Sequence, residues 1–427
     1  MQNVKGTYDY FGKEQAIRQS VQAVLKEVFE AYDYDGMETP ILNELELLTS
    51  KYAGGEEIVK EMYRLTDQGK RSLGLRYDLT IPFAKVVALN PGLELPFRRY
   101  EIGKVFRDGP VKRGRLREFI QCDADVVGVE GPEAEAELMQ LAAEVFRRLD
   151  IPVVIRWNNR RFLGEMLESV GVPSEQCSTV MLTLDKIAKI DKDEVRRELA
   201  GKGLTSETIR GIEGLMDMEN PTFELLAVRS GIQENPGALE VKALQELIQA
   251  VGLGTVCRFD PFLSRGLSFY TGTVYEIFDA SGSFPSSLGS GGRYDAIIGR
   301  LVGREDIPYP TAGMSFGMES VMELLRSRPM PAGRPSVVVI PIGNTIPEAL
   351  KASAELRNRG IRTRLDTSRR KLKKSLESAS SQGIGYAILI GESEAAAGLL
   401  RLRDMNRRTE IVAGLQEVAS LLQNECK

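Results

Sequence analysis

Three short stretches of this sequence gather arginines, aromatic rings and glycines in patterns suited to chemistry on an anion. KVFRDGPVKRGRLREF sets Arg107 on one side of a glycine-bearing basic loop and Arg115, Arg117 and Phe119 on the other. Arginines flanking a loop, with a ring on which a base can stack, form a clamp for a nucleotide triphosphate. The same residues also read as a charged surface hairpin. LSRGLSFYTGTVYE holds Arg265 at a tight turn before a strand carrying Phe269, Tyr270, Val274 and Tyr275, and GSGGRYD delivers Arg293 and Tyr294 from a glycine-rich turn. Tyrosines usually belong to a core, but two arginines and two tyrosines converging on one cavity suit a small, polar, anionic ligand. TAGMSFGMESVMELL is a glycine-bearing strand running into a helix with Glu319.

Composition narrows the chemistry further. The chain has no histidine at all, which removes histidine triads, histidine general bases and histidine-ligated metals. No GxxxxGK[ST] and no GxGxxG follows a strand, so P-loop and Rossmann nucleotide binding are disfavoured. The four cysteines (Cys122, Cys177, Cys257, Cys426) lie far apart with no CxxC pair, as expected of reduced thiols in a cytoplasmic protein without a zinc site. Arginine, carboxylates, amides, tyrosine and bound metal remain to carry a reaction.

With 42% hydrophobic and 27% charged residues over 427 positions, the chain reads as a soluble globular protein of two or three domains. No run approaches the roughly 20 apolar residues of a membrane span. MQNVKGTYDY at the amino end lacks the apolar run of a signal peptide. The net charge of −4 divides unevenly: from Arg334 onward there are 16 Lys and Arg against 10 Asp and Glu, so +6, which leaves −10 for the rest. A basic carboxy-terminal piece on an acidic body fits a polyanion partner, although solvated helix faces give the same count.

The elements that must position these residues can be read from periodicity. Ile17, Val21, Val24, Leu25 and Val28 mark a helix between Lys13 and Tyr32. YDYDGMETPIL then gives a turn and a strand interrupted by Pro40. A strand ends near Asp78, and Pro82 opens a helix. Residues 96–128 alternate on both sides of the basic loop, which predicts strand, loop, strand. After the strand VVIRW, helical spacing prevails to about residue 253, and strands resume from Val256. RSRPMPAGRP is a linker, and beyond it strands and helices alternate as in a small α/β domain.

In this order the elements resemble class II aminoacyl-tRNA synthetases: the hairpin is similar to their motif 2, TPIL to motif 1, and residues 311–325 to motif 3. LRYDLT, RGRLREFIQCDAD, SRGLSFYTGTVYE and GGRYD resemble histidyl-tRNA synthetases of the eukaryotic and archaeal type, and residues 360–394 resemble that family's anticodon-binding domain. The resemblance covers essentially the whole chain. It implies an α/β fold class: an antiparallel-sheet catalytic domain (1–325) with a helical insertion (about 160–253), a linker (326–335) and a small α/β anticodon-binding domain (336–427). It implies ATP-dependent activation of histidine to the adenylate and transfer to tRNA(His), with Mg2+, in a cytoplasmic homodimer with motif 1 at its interface and no membrane.

Residue by residue, the resemblance implies that Asp78 and Thr80 hold the substrate α-amino group with Gln121 beside it. Asp125, Tyr270 and Tyr294 would face the imidazole, with Leu79 and Phe269 completing the amino-acid pocket. Arg107 would bind the α-phosphate, Arg115 the outer phosphates, and Phe119 would stack on adenine. Arg265 would bridge the amino-acid carboxylate and the α-phosphate, so Arg107, Arg265 and Gln121 are the expected catalytic groups. Lys112, Arg113 and Arg117 in the loop, and Arg369, Arg370 and Lys371 in the carboxy-terminal domain, would meet tRNA. No protein ligand set for a metal is identified.

The sequence departs from the family in three places. Ser320 in FGMES stands where motif 3 carries an arginine to the outer phosphates, a loss expected to cost roughly 3–4 kcal/mol if nothing replaces it. Leu267, Ser268 and Phe269 replace Leu-Asp-Tyr ahead of Tyr270, and the motif 2 loop is short. A related family, the regulatory subunit of ATP phosphoribosyltransferase, has a similar serine before its aromatic pair, so a regulatory or histidine-sensing role is the alternative expectation. Freedom from histidine would also let such an enzyme be translated when charged histidyl-tRNA is scarce.

Overall fold

A computed structural model of the chain describes residues 1–49, 59–186, 191–266, 269–304, 306–326 and 337–424. The expected linker lies, but for Arg326, outside these residues, as do Leu267 and Ser268. The chain divides into two units, Met1–Arg328 and Pro329–Lys427.

The strands of the first unit are β1 (Asp35–Gly36), β2 (Leu42–Glu44), β3 (Arg64–Thr66), β4 (Ser72–Leu75), β5 (Phe97–Phe106), β6 (Glu118–Val127), β7 (Val153–Asn159), β8 (Cys257–Phe259), β9 (Thr273–Asp279), β10 (Gly289–Arg293) and β11 (Thr311–Gly317). They build a main sheet of order β1-β5-β6-β11-β10-β9-β7-β8 and a small sheet β2-β4-β3. The expected hairpin is β5–β6, paired from Phe97↔Val127 to Phe106↔Glu118. Its core pairs β5–β6–β11–β10–β9 are antiparallel. The strand expected from Phe269 starts only at Thr273, beyond Gly272.

An antiparallel sheet can bury one face and leave the other for function, and alternation along β11 separates the two faces here. Phe316 points to the first face, its ring 5.9 Å from Phe29 of helix Gly12–Ala31 and 5.8 Å from Phe146 of helix Glu133–Arg148. Val21, Leu25, Val28 and Phe29 recur at helical spacing and are buried there. Gly313, Ser315 and Gly317 alternate with these residues and belong to the second face. A buried two-pronged ion pair, Arg18 Nη1 to Glu319 Oε2 at 2.7 Å and Nη2 to Oε1 at 2.9 Å, fixes helix Met318–Leu325 to the first helix.

Between β7 and β8, the described residues from Arg160 to Ala250 form six helices. Side-chain caps set where several begin: Asn159 accepts from Arg161 and Phe162, Asp191 from Glu194, Thr205 from Thr208 and Thr222 from Leu225.

The second unit contains β12 (Val337–Pro341), β13 (Thr363–Leu365), β14 (Tyr386–Ile390), β15 (Leu399–Asp404) and β16 (Glu410–Gly414), in the order β13-β12-β14-β15-β16. The pairs β12–β13 and β12–β14 are parallel; β14–β15 and β15–β16 are antiparallel. Val337, Val339, Ile388 and Ile390 on one side of this sheet pack with Leu356 and Val418 from the helices.

Candidate active site

The second face of the main sheet carries a polar field laid out by register. Residues directly opposite one another in antiparallel strands share a face. Arg99, Asp125, Gly313 and Gly292 form one row across β5, β6, β11 and β10. Glu101, Asp123, Ser315, Ser290 and Glu276 form the next. Gly103, Gln121 and Gly317 follow. The glycines are the floor of the site: a Cβ on Gly313 would stand 1.8 Å from Asp125 Oδ1, and one on Gly292 would stand 2.9 Å from the Tyr270 ring.

Asp125 is buried, with Arg99 Nη2 2.7 Å from its Oδ2 and the Tyr294 hydroxyl donating to its Oδ1. Arg99 is fully buried and lies 4.4 Å over the Phe83 ring. Burial raises the Asp125 carboxyl above its usual range, opposed by Arg99. Asp123, on the same strand face, is raised by burial and by the neighbouring Asp125 charge. Two acids sharing one arginine cannot both be comfortably ionised while the site is dry. Burial and Asp125 likewise keep the Tyr294 phenol protonated, so it stays a donor. Tyr270 is also raised by burial, with Arg265 acting against that shift.

Asp78 is buried ahead of helix Thr80–Leu89, where its Oδ1 accepts from the Ile81 amide at 3.1 Å. Burial lifts it to about 6, with that amide and the Arg107 and Arg99 charges pulling down. Arg107 donates from Nε to the Tyr77 carbonyl at 3.1 Å, and its guanidinium lies 5.1 Å from the Phe119 ring. Leu79 is fully buried, and its carbonyl accepts from Arg99. Gln121 donates from Nε2 to Ser315 Oγ at 3.0 Å. Phe269 is buried, its ring 4.7 Å from Tyr270 and 5.8 Å from Tyr294, so it backs the two tyrosines.

Arg265 has a left-handed backbone, φ +63°. Asp185, the residue that closes helix Ser174–Leu184, accepts from the backbone N–H groups of Ser264 (3.3 Å) and Arg265 (3.1 Å). The Arg265 guanidinium is tied to Glu276. The inserted helices therefore anchor this turn.

Arg293 does not join the cavity with Arg265. Alternation turns it to the opposite face, where its guanidinium meets Glu135 (Nε–Oε1 2.8 Å, Nη2–Oε2 2.6 Å) and the carbonyls of Val129 and Gly131. One arginine and two tyrosines remain from the pair of stretches.

The loop of the hairpin folds back on itself: Lys112 and Arg115 exchange backbone hydrogen bonds of 3.1 and 2.9 Å around Arg113 and Gly114 (φ +73°). A Cβ on Gly114 would lie 3.2 Å from the Phe284 ring and 3.6 Å from Ser320 Oγ, so this tip rests where helix Met318–Leu325 begins. Arg113 donates to Glu323 at 2.9 Å, one turn beyond Ser320, with its guanidinium 5.6 Å from Phe284. Arg117 is half-buried against Asp108 at 3.1 Å, while Lys112, Arg113 and Arg115 are exposed. In the second unit, Arg369, Arg370 and Lys371 are exposed between β13 and helix Leu372–Ser381. That is the carboxyl end of a parallel strand, where α/β sheets bind ligands. Among the described residues no cluster of three acidic or cysteine side chains could hold a metal ion.

Several participants had not been singled out from the sequence: Arg99, Asp123, Asp185 and Glu276. The alternation of β6 could have pointed to Asp123, two residues from both Gln121 and Asp125. Asp185 has no such signal, because it meets Arg265 only through tertiary packing.

The model of the family described as "Histidyl-tRNA synthetase" matches residues 6–321, and that described as "Anticodon binding domain" matches residues 336–425. A Bacillus cereus protein named "Histidine--tRNA ligase 1" is 45% identical over 431 residues, covering 99% of this chain and 100% of its own. A histidyl-tRNA synthetase structure from Nostoc sp. superposes with a TM-score of 0.85 at 26% identity over 99% of both chains. A Bacillus halodurans structure titled as an ATP phosphoribosyltransferase regulatory subunit/histidyl-tRNA synthetase is 19% identical, with a TM-score of 0.72, over 88% of this chain and 96% of its own; at that identity the likeness shows the fold alone.

Proposed function

The chain belongs to the histidyl-tRNA synthetase family, and from that premise we propose that it is a histidine--tRNA ligase. It joins histidine to ATP, forming histidyl-adenylate and pyrophosphate, and then passes the histidyl group to tRNA(His) with release of AMP. The observation that carries this reading is the buried Asp125–Tyr294–Arg99 group on a glycine floor, with Arg265 nearby on the same side. An acceptor and a protonated phenol, both held rigidly, suit the polar edge of an imidazole. A side chain without matching polar groups would displace water from this buried group and return no hydrogen bond, which is a basis for discrimination.

Histidine enters with its ring toward Asp125, Tyr270 and Tyr294, backed by Phe269 and Leu79. Its ammonium lies toward Asp78, Thr80 and Gln121. Arg107 and Arg265 flank the point where a carboxylate oxygen attacks the α-phosphorus and the bond to the β-phosphate oxygen breaks. Two anions must meet there, so fixed positive charge is the principal catalytic need. Phe119 takes the adenine face, and Arg115 reaches the outer phosphates. Mg2+ bound to the triphosphate would neutralise part of its charge. Lys112 and Arg117, with Arg369, Arg370 and Lys371, provide cations for tRNA.

The assembly proposed is a homodimer through the TPIL region, where Ile41 and Leu42 are exposed apolar side chains. A cytoplasmic location goes with this function, and no helix among the described residues is long and apolar enough to cross a membrane. Ser320 favours one second reading, a regulatory or histidine-sensing subunit, because it leaves the start of its helix without the expected arginine. ATP–pyrophosphate exchange with each of the twenty amino acids separates the readings. Exchange with histidine alone, followed by charging of tRNA(His), is the expected result. Histidine binding without exchange would replace the ligase with the sensor, and exchange with another amino acid would overturn the substrate.

A further inference from the structure

β6 presents Gln121, Asp123 and Asp125 on one face; Gln121 Oε1 and Asp123 Oδ1 are buried acceptors without a hydrogen-bond partner, whereas Asp125 Oδ2 has Arg99 Nη2 at 2.7 Å. Buried acceptors without donors are costly, so this strip calls for a ligand rich in N–H groups. Its three members are not equivalent. Asp125 has Arg99 beside it and the Tyr294 hydroxyl on its other oxygen. Glu101, which faces Asp123 across the strands, is engaged by Arg76 at 2.6 Å and by Thr39. Asp123 interacts with the hydroxyl of Ser315, which itself receives Gln121 Nε2. Among the described residues no cation lies within ion-pair distance of Asp123. Its electrostatic neighbours are Asp125, Arg99, which offsets part of the negative charge from beyond contact distance, and Asp78.

We infer that Asp123 is a binding residue for the substrate α-ammonium, acting with Asp78 and Gln121. The inference rests on reading this face as an amino-acid pocket, and it adds a contact which that reading does not contain. A primary ammonium has three N–H groups and a full charge. Asp78, Gln121 Oε1 and Asp123 Oδ1 give it three acceptors and a counter-charge that Arg99, already paired with Asp125, offsets only in part. The ring is a poorer match: a neutral imidazole has a single N–H donor, and Asp125 with Tyr294 already provides for it. The amine would thus be recognised by two carboxylates from different elements, one ahead of a helix and one on the central sheet. An amino acid lacking a free amine would leave both of them buried and unpaired.

The test is calorimetric binding to the full chain without ATP, using histidine, histidinol and imidazolepropionate. Histidinol keeps the amine and lacks the carboxylate; imidazolepropionate keeps the ring and lacks the amine. Asp123→Asn retains shape and removes charge. It is expected to weaken histidine and histidinol by about tenfold or more, the scale of one charged hydrogen bond, and to leave imidazolepropionate within about twofold. Equal weakening of all three ligands, or no weakening of any, would overturn the inference. Ser315→Ala, which removes the hydroxyl that interacts with Asp123, should give the same pattern at smaller amplitude, and it decides the matter if the asparagine variant does not fold. A wild-type chain that ignores histidine but binds another amino acid would refute the substrate alone. The same comparison with that amino acid and its deaminated analogue then decides on Asp123.

Discussion

Replacing Asp185 by alanine tests whether the inserted helices set Arg265, the proposed catalytic arginine. Asp185 Oδ1 receives the backbone N–H groups of Ser264 and Arg265 at 3.3 and 3.1 Å, and these bonds hold Arg265 at φ +63°. A left-handed backbone costs a residue other than glycine roughly 1–2 kcal/mol. Once the carboxylate is removed, the turn can relax to an ordinary conformation by that amount. The fraction of molecules with Arg265 correctly aimed then falls by about 5- to 30-fold, using RT of about 0.59 kcal/mol. The exchange rate at saturating substrates should fall by the same factor in Asp185→Ala. Stability should drop by only about 1 kcal/mol, because Asp185 is partly exposed and the two bonds are long. Asp185→Asn keeps an acceptor oxygen and should stay within about twofold of wild type. Steady-state ATP–pyrophosphate exchange, with urea unfolding in parallel, measures both quantities. If the alanine variant turns over like wild type, or the asparagine variant fails equally, Asp185 does not position Arg265.

Four further outcomes follow from particular residues. Burial raises Asp78 from 3.8 to about 6, so its contribution to stability is fully present below pH 3.8 and is lost as pH rises through 6. Asp78→Asn should therefore stabilise the ligand-free chain at pH 7–8 by up to about 3 kcal/mol, and that gain should vanish toward pH 4 in urea titrations; histidine binding to wild type should weaken below about pH 6. Gly313→Ala puts a methyl group within 1.8 Å of Asp125 Oδ1, and calorimetry should show loss of histidine binding while far-UV dichroism stays native. Arg113, held to Glu323 on the helix that carries Ser320, is proposed to supply the cation which that helix lacks. Arg113→Ala should raise the KM for ATP about tenfold and leave that for histidine unchanged, whereas equal changes in both would mean the loop merely packs. In a histidine-depleted translation extract, synthesis of this histidine-free chain should continue while a histidine-containing synthetase declines, and equal decline of both would sink that idea.

What was legible in the sequence was the order of elements and the residue types of the proposed nucleotide and amino-acid site. Periodicity is a local property, so the first helix, the β5–β6 hairpin and the alternating strands and helices after residue 336 could be read directly. Clusters of glycines, arginines and aromatics along the chain singled out Arg107, Arg115, Phe119, Arg265, Tyr270 and Tyr294, and the family resemblance added Asp125. Two things required the tertiary structure. One is the direction in which a side chain points: Arg293 and Tyr294 are neighbours in sequence, yet a single step along a strand sends Arg293 to Glu135 and Tyr294 to Asp125. The other is which distant groups meet. Arg99 with Asp125, Asp185 with the Arg265 turn, and Gly114 against Ser320 and Phe284 are each set by register or by packing between elements far apart in the chain. Residue type is written locally, but burial, pKa and partnership belong to the space in which separate segments come together, and no single segment contains them.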